Sequence, residues 1–229
     1  MDKMNPFTKG LKEAQNYNEK TICCFVVDVS GSMYGSPIQE LNKGLQDFYQ
    51  DIKKDNRTRT SLEIAIVTFG SNIELVLAPN LVDSIPAMPL LHADGSTRLA
   101  DGVKEAIKIV EDQKKWYKAT GQSYKRPWIV LISDGAPDSN QNIPALAQQI
   151  QQDSIKNSYF FYPIGVDDAD TVMLQTLCVP PVVVGKLQHA KFADFFHWLS
   201  ASISMVAASK EGDKISLPNP SDWMSGFSI

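Results

Sequence analysis

Thr21-Ile-Cys-Cys-Phe-Val-Val27 reads as one apolar run, and it stops abruptly at Asp28-Val-Ser30-Gly-Ser32-Met33. A continuous apolar run of this length, without polar alternation, is the pattern of a strand buried on both faces of a mostly parallel sheet. The step that follows places a carboxylate and two hydroxyls at every second position, with a glycine among them. Oxygen groups at the carboxyl end of a central strand lie where open α/β sheets hold their ligands. Hard oxygen donors without histidine or cysteine suit a hard cation such as Mg²⁺. Taken alone, Asp-x-Ser-x-Ser reads equally well as a polar turn, so the remaining loops decide.

The flanking segments alternate between the two periodicities. Ser36-Pro37-Ile38-Gln39 has the form of a helix start, with Ser36 as N-cap, Pro37 at the first helical position and Gln39 closing a capping box. Ile38, Leu41, Leu45, Phe48 and Ile52 then mark one buried helical face. Residues 61 to 69 predict a second buried strand, and Ile73 to Leu77 a third. The short turn Gly70-Ser71-Asn72 between them permits only an antiparallel hairpin. Residues 79 to 91 carry three prolines and read as a connector. Further on, a helix is expected from Leu99, Val103, Ala106, Ile107 and Val110, a strand from 127 to 132, and a helix from 142 to 156. A fifth strand is expected from Tyr159 to Val166, a sixth at Val182-Val183-Val184, and a last helix over 191 to 208.

Strands alternating with helices predict a doubly wound α/β domain. Its sheet is mostly parallel and six-stranded, with one antiparallel edge strand and helices on both faces. This domain is expected over 21–208, preceded by a polar arm (1–20) and followed by a tail (209–229) in which Trp223, Met224 and Phe227 pack back or dock a partner.

Composition narrows the class. The 229 residues are 43% hydrophobic and 21% charged, enough for a full globular core. A net charge of −4 argues against nucleic acid as the main partner. No run is long and apolar enough to span a membrane, and the first residues lack the core of a signal peptide, so a cytoplasmic location is expected. Cys23 and Cys24 belong to the first strand and Cys178 stands alone, which leaves no disulfide framework and no zinc spacing.

Parallel strands carry their carboxyl ends to one edge of the sheet. Asp28, Ser30 and Ser32 after the first strand, Thr97 in the loop Asp94-Gly95-Ser96-Thr97-Arg98, and Asp134 in Ser133-Asp134-Gly135 are therefore expected to converge. This set resembles the metal-ion-dependent adhesion site of von Willebrand factor A domains, with all five positions filled. Phe25-Val-Val-Asp-Val-Ser-Gly-Ser-Met33 and Ile132-Ser-Asp-Gly-Ala-Pro137 are most similar to the TerY-type proteins associated with bacterial tellurium resistance. The resemblance implies Mg²⁺, with Mn²⁺ or Ca²⁺ as alternatives, held directly by Ser30 and Ser32 and directly or through water by Thr97. It assigns Asp28 and Asp134 largely to orienting the serines. It further implies a non-catalytic module that docks a partner's acidic residue through the metal. The implied partners are a protein kinase, a PP2C-like phosphatase or a TerD-like protein in a stress-response assembly. Arg98 either pairs with the incoming acid or lies on the helix surface, and His92 and Asp167-Asp168-Asp170 either extend the rim or serve as structural and capping groups.

Two rival readings stand beside it. Asp28 at the end of a buried strand resembles the nucleophile of haloacid-dehalogenase-type phosphatases, but the second aspartate they need is replaced by Ser30. A serine hydrolase lacks its Gly-x-Ser-x-Gly elbow, and His92, His189 and His197 suggest no triad. The other rival is a metal-independent regulatory scaffold of a kinase–phosphatase system.

Overall fold

The computed structural model describes residues 15–134, 136–187, 191–209, 217–218 and 224–225. Six strands form, the first five where the sequence places them: β1 (Thr21–Asp28), β2 (Leu62–Phe69), β3 (Ile73–Leu81), β4 (Trp128–Ser133), β5 (Phe160–Val166) and β6 (Gly185–Leu187). A two-residue β7 (Met224–Ser225) extends the sheet from the tail. The strand order is β3-β2-β1-β4-β5-β6-β7. β1, β2, β4, β5 and β6 run parallel, β3 is antiparallel to β2, and β7 is antiparallel to β6.

The helices are α1 (Ser36–Lys54), α2 (Asn56–Arg59), α3 (Leu99–Ala119), α4 (Ile143–Ile155), α5 (Thr171–Gln175) and α6 (Phe192–Ala208). The continuous apolar run of β1 explains their placement, because alternate side chains feed two separate cores. Cys23, Phe25 and Val27 join α1 and α6 on one face. Ile22, Cys24 and Val26 join α3 and α4 on the other. On the first face the rings of Phe25, Phe48 and Phe196 meet at centroid distances of 5.5 to 5.9 Å, tying strand and both helices together. Each such ring removed from water contributes about 1.5–3 kcal/mol.

The chain leaves β1 toward β2 on one side and returns to β4 on the other. The crevice between the carboxyl ends of β1 and β4 is thus the point at which the strand order reverses, where doubly wound sheets bind ligands.

Several local expectations are corrected. The N-cap of α1 is Gly35 rather than Ser36, and no side-chain capping bond forms. Ser36 is instead the first helical residue. β3 runs on to Leu81, past Pro79, which an edge strand tolerates because its outer N–H groups pair with nothing. The sixth strand lies at Gly185–Leu187 instead of Val182–Val184, since it pairs with Ile164, Gly165 and Val166 at the end of β5. The tail does pack back where it is described. The Trp198 indole N–H donates to the Pro218 carbonyl at 2.7 Å, and Leu217 packs on the α1/α6 core. Trp223 and Phe227 lie outside the described residues, as do residues 1–14 of the arm.

Candidate functional site

Asp28 ends β1 with its side chain turned back into the protein, fully buried. Its two oxygens are both engaged: Oδ1 accepts from the Ser30 N–H at 2.8 Å, and Oδ2 accepts from the Ser133 hydroxyl at 2.6 Å. β1 and β4 are adjacent and parallel, so the last residue of each strand reaches the other. Ser133 was part of the sequence signal around Asp134, but its task of holding Asp28 follows only from this register.

The hydroxyls form a short chain. Ser32 Oγ donates to Asp134 Oδ1 at 2.9 Å, and Ser30 Oγ lies 3.0 Å from Ser32 Oγ. Ser32 spends its one proton on Asp134, and the Ser30 hydroxyl also interacts with the Asp28 carboxylate, so the two serines link one aspartate to the other. Ser30 is 2% exposed while Ser32 opens to solvent, so the array has a buried end and an accessible one.

Thr97 reaches this edge through its loop. The Gly31 N–H donates to the Gly95 carbonyl at 3.0 Å, and the Asp94 N–H to the Val29 carbonyl at 2.6 Å, which lays residues 94–97 along residues 29–31. Two glycines make that approach close. A Cβ on Gly70 would stand 2.7 Å from the Asp94 carbonyl oxygen, and Gly95 adopts φ 90° against Ser71. Asp138 clasps Thr97 without any mark in the sequence. Its Oδ1 accepts from the Thr97 N–H at 3.1 Å and its own N–H donates to the Thr97 carbonyl at 3.0 Å. A single aspartate in a loop has no periodicity to mark it.

The electrostatics of the site are one-sided. Burial pushes the Asp28 carboxyl up to about 6, against the hydrogen bonds from Ser133 and Ser30, with Asp134 adding repulsion. Burial also raises Asp134, and the neighbouring Asp167 carboxylate pushes it in the same direction. No lysine or arginine among the described residues forms an ion pair with Asp28 or Asp134. A hard divalent cation fits this donor set: two hydroxyls side by side, one accessible carboxylate, and surplus negative charge. Among the described residues no three His, Cys, Asp or Glu side chains assemble as a metal cluster.

Other candidates fall elsewhere. The Arg98 guanidinium bonds Asp101 at 2.9 Å and reaches the Ser71 carbonyl at 3.4 Å, a surface arrangement at the start of α3. Asp170 caps α5 by accepting from the Met173 N–H. His92 is exposed, and His197 pairs with Asp51 at 3.1 Å between α6 and α1. His189 lies outside the described residues. Cys23 and Cys24 are buried free thiols and Cys178 is a half-buried one.

A family profile described as von Willebrand factor type A domain matches residues 23–136, from β1 to just past Asp134. The chain carries a von Willebrand factor type A domain. Among curated proteins, inter-alpha-trypsin inhibitor heavy chain H3 of Mesocricetus auratus is 23% identical over 142 residues, covering 62% of this chain and 16% of its own length. Heavy chain H2 of Mus musculus is 24% identical over 161 residues, covering 67% and 16%. The chain thus spans about one-sixth of the curated relatives it matches. Among solved structures, the pilus adhesin SpaC from Lactobacillus rhamnosus GG superposes with a TM-score of 0.66 at 12% identity, over 85% of this chain and 32% of that one. The vWF domain of the type V pili tip protein Mfa5 from Porphyromonas gingivalis gives 0.62 at 13% identity, over 86% and 99%. At such identities the likeness shows the von Willebrand factor A fold. Among the described residues no helix is long and apolar enough to cross a membrane.

Proposed function

We propose that this von Willebrand factor A domain is a non-catalytic interaction module. In this reading its Ser30/Ser32 edge holds Mg²⁺ (or Mn²⁺ or Ca²⁺) and docks an acidic residue of a partner protein. The observation that carries the proposal is the array from Asp28 through Ser30 and Ser32 to Asp134, which accumulates negative charge and hydroxyl oxygens with no basic partner among the described residues. Ser30 and Ser32 would hold the ion, with Thr97 beside them. Asp28 fixes the Ser30 backbone and is itself held by Ser133, while Asp134 orients the Ser32 hydroxyl. Bound through neutral hydroxyls, the ion would retain enough positive charge to accept a carboxylate oxygen from outside. Arg98 offers a second contact for that carboxylate when it exchanges Asp101 for the incoming group.

The similarity of residues 25–33 and 132–137 to TerY-type proteins supports placing the domain in a cytoplasmic tellurium-resistance or stress-response assembly. A protein kinase, a PP2C-like phosphatase or a TerD-like protein would be the partner. The test is affinity purification of wild type and Ser30→Ala/Ser32→Ala with Mg²⁺ and with EDTA, both proteins being checked for folding by circular dichroism. Partners retained by wild type in Mg²⁺ alone support metal-gated docking. Identical partner lists in all four samples reject it.

A further inference from the structure

Beside the Ser30 edge, on the α1/α6 face of the sheet, a polar cavity of about 310 Å³ opens between the β2–β3 turn and residues 90–94. Thr68 and Glu74, directly paired across β2 and β3, line it together with Asn72, Leu90, His92 and Asp94. Val29, the residue between Asp28 and Ser30, belongs to its wall. The Asp94 N–H donates to the Val29 carbonyl at 2.6 Å, so cavity and hydroxyl array share one loop and one strand end.

Among the described residues, the Glu74 and Asp94 carboxylates form no ion pair or side-chain hydrogen bond, and neither does the Thr68 hydroxyl, although Thr68 is only 5% exposed. Exposed carboxylates alone are ordinary. A threonine nine-tenths buried, lining a polar cavity with its hydroxyl unpaired, adds an acceptor at the floor that water or a ligand must satisfy. The walls are held in place, since Gly70 permits the Asp94 carbonyl to sit where any Cβ would collide.

We infer that this cavity takes an arginine side chain of the partner, set beside the acidic residue that reaches the Ser30/Ser32 edge. Two carboxylates and a hydroxyl match the five fixed donors of a guanidinium, and the cavity is roomy enough for it. The inference rests on the proposed docking function, and it makes the recognised motif an acid–base pair rather than a lone acid.

The test titrates the isotope-labelled protein with N-acetylarginine methylamide and with its neutral isostere N-acetylcitrulline methylamide, following backbone amide shifts by NMR, in Mg²⁺ and in EDTA. Saturable shifts at Thr68, Glu74 and Asp94 are expected with the arginine probe. The citrulline probe should bind at least about tenfold more weakly, the scale of a charge-assisted hydrogen bond. Glu74→Gln/Asp94→Asn, at exposed positions that leave the core intact, should weaken the arginine probe by a similar factor. Ser30→Ala/Ser32→Ala should leave it unchanged. Equal binding of both probes, absence of saturation, or an unaffected Glu74→Gln/Asp94→Asn protein overturns the inference. Failure of the metal reading shows separately, as absent Mg²⁺ binding with the arginine titration intact.

Discussion

Glu63 enters the sheet at the amino end of β2 and Asp28 leaves it at the carboxyl end of β1, with exposures of 4% and 0%. Around Glu63 the protein supplies what a buried carboxylate needs. The Tyr117 hydroxyl and the Gln113 amide donate to Oε2 at 2.7 and 2.6 Å. Lys20 is near enough that Glu63 partly offsets the lowering of its pKa by burial. Tyr117 answers in turn, its phenol raised by burial and by the Glu63 charge. Around Asp28 there are one backbone N–H, the Ser133 and Ser30 hydroxyls and more carboxylate. The amino edge contains its own cation and is closed. The carboxyl edge is organised to the same standard but remains negative. An uncompensated charge is retained where something from outside completes it.

The comparison can be broken first at the closed edge. Glu63→Ala strands the Tyr117 hydroxyl, the Gln113 amide and the Lys20 charge, and should destabilise the fold by about 3–5 kcal/mol in denaturant unfolding. Glu63→Gln, which keeps an acceptor, should lose clearly less. A loss under about 1 kcal/mol for Glu63→Ala would mean that the amino edge is not held by this group. At the open edge, Ser133→Ala removes the hydroxyl that holds Asp28 Oδ2 and should cost about 1–3 kcal/mol in EDTA.

Two partly exposed carboxylates sharpen the contrast by showing what ordinary satisfaction looks like. Asp55 caps α2, accepting from the Arg57 and Thr58 N–H groups and from the Thr58 hydroxyl. Burial opposes its ionisation, but these hydrogen bonds prevail and hold its pKa below the usual carboxylate value. Its contribution is therefore present above the unfolded value and is lost as pH falls through the depressed folded one. Asp55→Ala should cost about 1 kcal/mol at neutral pH and flatten the acid limb of the stability profile. Smallest of all, Arg98→Ala breaks an exposed i,i+3 pair with Asp101 and should change stability by no more than about 0.5 kcal/mol.

The parts that could be read from sequence share a physical reason. β1, β2, β4 and β5 are long apolar runs because both faces are buried, and such runs need no tertiary information to be seen. β6 has none of this character. Val182–Val184 has the greater strand propensity, yet Gly185–Leu187 is the segment that meets the end of β5, and pairing overrides propensity. β7, two residues long, carries no pattern at all. At the site, alternate-position oxygens after a buried strand announced Asp28, Ser30 and Ser32. Ser133 as the holder of Asp28 and Asp138 as the clasp on Thr97 depend on strand register and loop contact, whereas Asp167 at the rim is among the sequence alternatives. Local spacing does not encode the first two.

The central claim is that the hydroxyl-rich edge holds a divalent cation which the closed edge does not need. Its most direct test is calorimetric titration of Mg²⁺ into EDTA-stripped wild type and Ser30→Ala/Ser32→Ala, with Glu63→Gln as the control at the other edge. One saturable site is expected in wild type and in Glu63→Gln, with binding at least about 100-fold weaker in the serine variant. Equal Mg²⁺ affinity in wild type and the serine variant, or no saturable binding to wild type, would contradict the claim.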